Sequence, residues 1–572
     1  MRLWVNVAVS AILLVGLTGC AGSSAGSGSV SNGGGGGGNA QPSEVKVLTY
    51  HNDNMRTGQD LNETTLTTSN VTSGQFGLIG TITVDGLVDA EPLYVGGMTI
   101  NGGAHNVLFV ATENDSVYAF DADTFGQLWH TSVLESNETV PSTSDVFGCS
   151  QIEPTLGITS TPVIDPNAGP NGTIFVVAMS KAGTTFHQRL HALDLTTGLD
   201  RMTAADIQAT FSGSGTGSSG GVQTFDPQFY AERAALLLLN GAIYTTWTSH
   251  CDHASYTSWV ISYNESTLAQ QNVLNLTANG TTQGGAEGGI WMAGAGPAAD
   301  SSGNIYLLVG NGTFDTTLNG SGFPNQGDYG NSFLKLSTTS GNLVVADYFT
   351  MHNACCVSGV SESNTDTDLG SGGAMVLPDL MDSQNNTHHL AVGAGKDSNM
   401  YIVDRDNMGK FNPNNDSAIY QELSGGLSGG VWSAPAYFNN VVYYGPTGNS
   451  LLAFSISNAT LSGTPMKSSN TFGYPGTMPS ISANGNSSGI VWTVQTGSPG
   501  TLFAYNASNL SQLFSGTVVA QASAKFATPM IANGKVYVGT GPTSNSNGGS
   551  VAVFGLLKQQ AAKIFKKSRS RS

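Results

Sequence analysis

The sequence predicts an all-β fold, an eight-bladed β-propeller of four-stranded antiparallel blades. Three observations predict it. A phrase of short apolar strands returns along the chain, each copy opened by a small residue and usually Pro, with its third strand ending in Asp, Asn or Ser. Within each strand apolar residues alternate with small or polar ones over about five positions, the period of a β-strand. No long stripe at helical spacing competes with that pattern.

One full copy reads Glu91-Pro92-Leu93-Tyr94-Val95, then Val107-Leu108-Phe109-Val110-Ala111, then Ser116-Val117-Tyr118-Ala119-Phe120-Asp121, and closes on Gln127-Leu128-Trp129. Later openings are Thr161-Pro162, Ala234-Ala235, Gly296-Pro297, Ala374-Met375, Ala434-Pro435, Met478-Pro479 and Thr528-Pro529. Third strands recur as Leu190-His191-Ala192-Leu193-Asp194, Trp259 to Asn264, Met400 to Asp404, Leu451 to Ser455 and Leu502 to Asn506. Openings lie roughly 44 to 50 residues apart in the last copies and about 60 to 78 earlier, which suits four strands with loop insertions. A unit of four short strands cannot bury its faces alone, so copies must pack side by side. The final copy, Val536 to Phe554, stops one strand short, and Phe76 to Val84 precedes the first opening as an unassigned strand. The N-terminal strand is therefore expected to complete the last blade, leaving no open sheet edge.

Composition sets the boundaries. The 572 residues include 75 Gly and only 10% charged residues, so loops are built from Gly, Ser, Thr and Asn. Arg2 followed by an apolar run from Val7 to Leu17 reads as an export signal, too short to span a bilayer. Leu17-Thr18-Gly19-Cys20 resembles the bacterial lipobox, which makes Cys20 the expected lipidated residue. Ala21 after it resembles lipoproteins sorted to an outer membrane. The expected organisation is a signal peptide at 1–20, a Gly/Ser-rich tether at 21–43, a propeller at 44–556 and a basic tail at 557–572.

A net charge of −18 excludes nucleic acid as a partner, because phosphate would be repelled. The tail alone, with Lys558, Lys563, Lys566, Lys567, Arg569 and Arg571 and no acid, suits anionic lipid or cell-wall polymer. Cys149, Cys251, Cys355 and Cys356 remain for an oxidising compartment, where four Cys allow three connectivities. The expected pairing is Cys149 with Cys251, with Cys355 and Cys356 bridged to each other or free. His250-Cys251-Asp252-His253 offers zinc-ligand types without a fourth ligand nearby. No phosphate loop or His-Glu-x-x-His is present, and Gly-x-Ser-x-Gly occurs only in Gly- and Ser-rich runs such as Gly217 to Gly221, which leaves hydrolase chemistry unsupported.

The phrase Leu190-His191-Ala192-Leu193-Asp194-Leu195-Thr196-Thr197-Gly198 and the run Val117 to Trp129 resemble the repeats of pyrroloquinoline-quinone (PQQ) dehydrogenases and their noncatalytic relatives, including the outer-membrane assembly propeller. Asn52-Asp53-Asn54-Met55-Arg56-Thr57-Gly58 resembles the start of bacterial secreted proteins of that quinoprotein-like group. The resemblance spans about residues 76 to 555. It implies a binding or assembly module held on the cell envelope by its lipid anchor, with a protein or cell-wall partner. The alternative it implies is a PQQ- and calcium-dependent oxidoreductase acting on an alcohol or sugar.

A quinone enzyme needs aromatic planes around the ring system, oxygen ligands for Ca²⁺ and a carboxylate base. In a propeller these come from residues just before each innermost strand. Read in order they are Asp89 and Glu91, Glu153 with Thr159 and Ser160, Arg233, Trp291, Asp366 and Asp368, Trp432, Tyr474 and Lys525. The alternative accordingly assigns Asp366 or Asp368 as base, Glu153, Asp366 and Asp368 as metal ligands, and Glu153, Thr159, Arg233, Trp291, Trp432 and Lys525 as quinone contacts.

Overall fold

The computed structural model describes residues 45–253, 255–281, 288–354, 366–519, 524–541 and 548–558. Cys20, the tether, Cys355 and Cys356, and the tail beyond Lys558 lie outside the described residues. Eight antiparallel sheets follow one another, each adding strands outward in chain order. Blade 1 is typical: Leu93–Ile100 innermost, then Gly103–Thr112, Ser116–Asp121 and Gln127–Ser132. The sequence pattern suggested half-buried strands, yet Val107, Leu108, Phe109 and Val110 are all at most 1% exposed. A blade is covered on both faces by its neighbours, so its middle strands are dry on both sides.

Where a third strand closes on an acid or Asn, at 121, 194, 264, 404 and 506, that residue caps the turn that follows. Asp194 Oδ1 accepts the backbone N–H groups of Thr196 at 2.9 Å and Thr197 at 3.1 Å, and Asp121 does the same for Asp123 and Thr124. These are Asx turns, so Asp121-Ala122-Asp123 is a repeat turn as its sequence suggested. Gly198 follows with φ +71°, and a Cβ there would meet the Trp129 ring of the preceding blade at 2.5 Å. Only Gly fits that close approach.

The ring closes as the sequence predicts. Phe76–Thr83 pairs with Ser550–Leu556 and becomes the outermost strand of the last blade, whose other strands are Lys535–Thr540 and Met530–Ala532. Met530, Tyr537 and Val551 of that blade share a core with Leu93, Tyr94 and Phe109 of blade 1. An ion pair between Lys535 and Asp123 (2.7 Å) and a hydrogen bond from Asn533 to the Tyr94 hydroxyl (3.1 Å) cross the same seam.

The segment 45–63 does something the strand pattern did not reveal. It runs along the channel and meets every blade at or beside its innermost strand. Lys46–Val47 pairs with Tyr94 and Val95 of blade 1. The carbonyls of Leu48, Asn54, Met55, Thr57 and Gly58 accept the N–H groups of Ile164, Ala299, Val376, Tyr437 and Ile481, in blades 2, 4, 5, 6 and 7. Arg56 reaches the Leu236 carbonyl of blade 3, and Glu63 accepts the Gly534 N–H of blade 8. His51, Asn52 and Arg56 hold positive φ to make this path. The Asn52-to-Gly58 motif is thus the middle of a clasp, residues 45–63, that joins the eight sheets from inside.

Candidate functional site

The loops before the innermost strands converge at one end of the ring, and so do the hairpins between second and third strands. Together they wall a cavity of about 600 Å³. Arg233, Trp291, Asp366, Asp368, Trp432, Tyr474 and Lys525 line it, drawn from blades 3 to 8. Thr248, Asn311 and Lys396 come from the second-strand hairpins, and Cys149 and Cys251 from two long loops.

The cavity's centre of charge is Lys396. Its Nζ lies 2.6 Å from both Asp366 Oδ1 and Asp368 Oδ2, and 5.8 Å and 6.0 Å from the ring centroids of Trp291 and Trp432. Burial works against the ammonium, yet Asp368 and Asp366 outweigh it and hold its pKa above the ordinary lysine value. The Asp368 side chain is 5% exposed whereas that of Asp366 is 78% exposed. Burial pushes the Asp368 carboxyl up to about 6 against the pull of Lys396. Its Oδ1 is buried with no hydrogen-bond partner among the described residues.

Arg233 and Lys525 occupy the other side. The Arg233 guanidinium lies 5.5 Å from the Phe526 ring centroid and its Nη1 donates to the Thr159 carbonyl at 3.4 Å; Lys525 Nζ lies 5.6 Å from the Tyr474 ring. Neither has a carboxylate within ion-pair distance among the described residues. Trp432 and Tyr474 meet edge to face at 5.3 Å. Trp291 is followed by Met292 and Ala293 with φ +39° and +51°, a conformation that costs non-glycine residues on the order of 1 kcal/mol each. That strained turn fixes the indole in the wall.

Two expected site residues are elsewhere. Glu153 is exposed, ahead of Pro154 in the loop outside the cavity lining. Thr159 is buried with its hydroxyl donated to Glu113 at 3.1 Å, and it does not line the cavity. Sequence reasoning missed Lys396 because it considered only residues before innermost strands. The signal was present: Lys396 follows the second strand Leu390–Ala394 of blade 5, where a hairpin returns to the same end.

Cys149 and Cys251 form a disulfide that ties the two long loops beside the cavity. Such a bond is consistent with an oxidising, extracytoplasmic setting. The same bond takes Cys251 from any metal set, while His253 stacks on Phe147 at 3.8 Å.

The donors do not suit calcium. That ion takes six to eight oxygens, and the mouth offers three carboxylates, of which Asp366 and Asp368 are paired with Lys396 and Asp252 accepts from the Tyr256 hydroxyl at 2.8 Å. Asn311 is engaged as well, accepting from Asn331 at 3.0 Å and donating to Asp366 at 3.3 Å. Among the described residues no group of three His, Cys, Asp or Glu side chains is placed to hold a metal. A planar, polyanionic aromatic molecule does fit: it finds three cations, two indoles, Tyr474 and Phe526.

No family model and no curated protein matches the sequence. Solved structures do match. The quinohemoprotein alcohol dehydrogenase of Comamonas testosteroni is 14% identical, with 90% of this chain and 81% of that chain covered at a TM-score of 0.58. A europium-containing methanol dehydrogenase is 13% identical over 90% and 98%, at 0.57. The quinohemoprotein alcohol dehydrogenase ADHIIG of Pseudomonas putida HK5 gives 13%, 90% and 81%, at 0.56. The chain has the PQQ-like β-propeller fold. At these identities the likeness speaks for the fold alone.

Proposed function

We propose that this propeller binds PQQ, or a quinone of the same planar polyanionic chemistry, in its channel mouth and uses it to oxidise an alcohol or sugar. One observation carries the reading: in a chain of net charge −18, Arg233, Lys396 and Lys525 line one aromatic-walled cavity, and among the described residues Arg233 and Lys525 have no carboxylate within ion-pair distance, only the longer-range pull of buried Asp89. Unpaired cations in an acidic protein are sites kept for an anion. When bound, the quinone would supply the two-electron acceptor. Trp291 and Trp432 would hold its plane, and Arg233 and Lys525 its carboxylates. Asp368, held by Lys396 at Oδ2, would take the substrate proton. A carboxyl raised to about 6 is ionised at neutral pH and more basic than an ordinary aspartate. Because the donors present do not suit calcium, Lys396 would be the positive charge beside the base Asp368.

Lipidation at Cys20 would place the propeller in the bacterial cell envelope, in keeping with the disulfide. Quinone titration followed by dye-linked oxidation of ethanol, glycerol and glucose tests the function. Binding with turnover that is lost in Asp368→Asn supports it. No binding at high micromolar quinone returns the protein to the class of binding or assembly modules.

A further inference from the structure

The chain enters and leaves the propeller at one end, opposite the cavity. Strands alternate in direction within each sheet and first strands run away from the mouth, so the hairpins after them and the turns before fourth strands lie at the far end. Lys46–Val47 runs antiparallel to Leu93–Ile100, and Gly96 donates to the Val45 carbonyl at 2.8 Å, so the chain comes into the channel from that far end. Gln59–Asp60 runs parallel to Ser480–Asn484 and takes it back there. Ser550–Leu556, the third strand of the last blade, also runs away from the mouth, and Leu557 beyond it donates to the Gln75 carbonyl at 2.7 Å.

That end is not uniform. In blades 1 to 5 its loops carry Asp123, Asp200, Glu265, Asp300, Asp382 and Asp406. In blades 6 and 7 the corresponding hairpins and turns, 439–440, 458–465, 485–486 and 507–511, hold no charged residue. Nor does the segment 64–75, whose Thr68 lies beside Asn439 and Asn486. On the neighbouring last blade Leu78, Ile79, Leu556 and Leu557 are 36% to 45% exposed. They stand on or beside two paired strands, Ile79 over Gly555 and Leu557 over Gly77. Scattered exposed apolar side chains are ordinary, whereas adjoining ones mark a contact surface. From this edge the sequence continues into exposed Lys558 and then Lys563-Ile564-Phe565-Lys566-Lys567, a basic run holding two large apolar side chains.

We propose that the edge of the last blade and the tail that follows it dock on an anionic lipid surface, with the cavity mouth turned away from the bilayer. Charge complementarity names the occupant. The tail holds Lys558, Lys563, Lys566, Lys567, Arg569 and Arg571 and no acid, in a chain of net charge −18. Each Lys or Arg held near such a surface strengthens attachment about fivefold, and apolar side chains beside a basic run enter the headgroup boundary. The acidic loops of blades 1 to 5 are repelled by the same surface, so the contact is confined to the sector of the last three blades. The mouth then takes its ligands from the aqueous side.

This docking depends neither on quinone binding nor on lipidation at Cys20, and the test keeps them apart. The full chain carrying Cys20→Ser, which bears no acyl chain, is sedimented with phosphatidylglycerol vesicles and with phosphatidylcholine vesicles. Binding is expected to the first and not to the second, weakening steeply as salt rises. Changing Lys563, Lys566, Lys567, Arg569 and Arg571 to Gln should cost about a hundredfold or more in affinity, and Leu78→Gln with Leu557→Gln about tenfold. Hydrogen exchange reads the same face without those substitutions: phosphatidylglycerol vesicles should slow it at 64–79 and 555–558 and leave the hairpins of Thr248 and Lys396 unchanged. Equal sedimentation with both lipids, undiminished binding in either variant, or slowed exchange at the mouth overturns the proposal. So does binding to purified murein with none to vesicles, which would make the surface a cell-wall contact.

Discussion

Arg56 and Arg233 serve opposite purposes in one channel. Arg56 lies in the clasp, 0% exposed, and its guanidinium donates to the carbonyls of Pro297, Tyr50 and Leu236 and to the Thr49 hydroxyl. Arg233, at the mouth, has one long bond to a carbonyl and an aromatic ring beneath it. A saturated guanidinium stitches sheets together, whereas an unsaturated one facing a cavity waits for a ligand.

The largest expected break is Asp368→Asn. Removing the base should lower turnover by about a hundredfold or more while quinone affinity changes little. A variant retaining most of its turnover would show that the mouth uses another base. Next comes Arg56→Met, which leaves four acceptors on the clasp and blades without their donor. We expect a loss of about 3 to 5 kcal/mol in denaturant melts; a loss below about 1 kcal/mol would mean that the clasp is dispensable.

A smaller effect lies in pH. Burial pushes the Glu91 carboxyl up to about 8, and burial followed by the neighbouring Asp89 raises Glu113. Between their unfolded and folded values the native state holds more protons than the unfolded chain. Their contribution is therefore full at acid pH and lost as pH rises through about 8. His51, pulled down to about 3 by burial, and His250 act the other way, losing stability as pH falls below the ordinary histidine value. The melting temperature should climb by about 2 to 5 °C from pH 8.5 to 6.5, and Glu91→Gln should flatten that limb. A melting temperature that falls over the same window contradicts the assignment. The smallest effect is Glu153→Gln, expected to leave quinone affinity within about twofold, because that side chain does not line the cavity. A larger change would restore it to the site.

Much of the fold was legible because each repeat obeys a local rule. The Asp and Asn residues at 121, 194, 264 and 506 cap the same turn by the same Asx bond, so sequence period and structural period coincide. The site was only partly legible. Arg233, Trp291, Asp366, Asp368, Trp432 and Lys525 line the cavity because the innermost strand fixes where its preceding loop goes. Glu153 was misplaced because the long loop between blades 1 and 2 carries it away from the axis. Lys396 was missed, and His250 was read only as a zinc-ligand type, because hairpins between second and third strands reach the same mouth without repeating a residue type. The clasp has no period at all; its pattern lies in backbone carbonyls, which any side chain can supply.

The central claim is that the unsaturated cations of the mouth form an anion-binding quinone site that needs no calcium. Titrating PQQ into the full-length protein in the presence of a calcium chelator, followed by quenching of tryptophan fluorescence, tests it most directly. We expect one quinone per chain with a dissociation constant in the micromolar range or below, weakened at least about tenfold in the double variant Arg233→Met, Lys525→Met. Absence of binding until calcium is restored, or equal affinity in the double variant, would contradict the account.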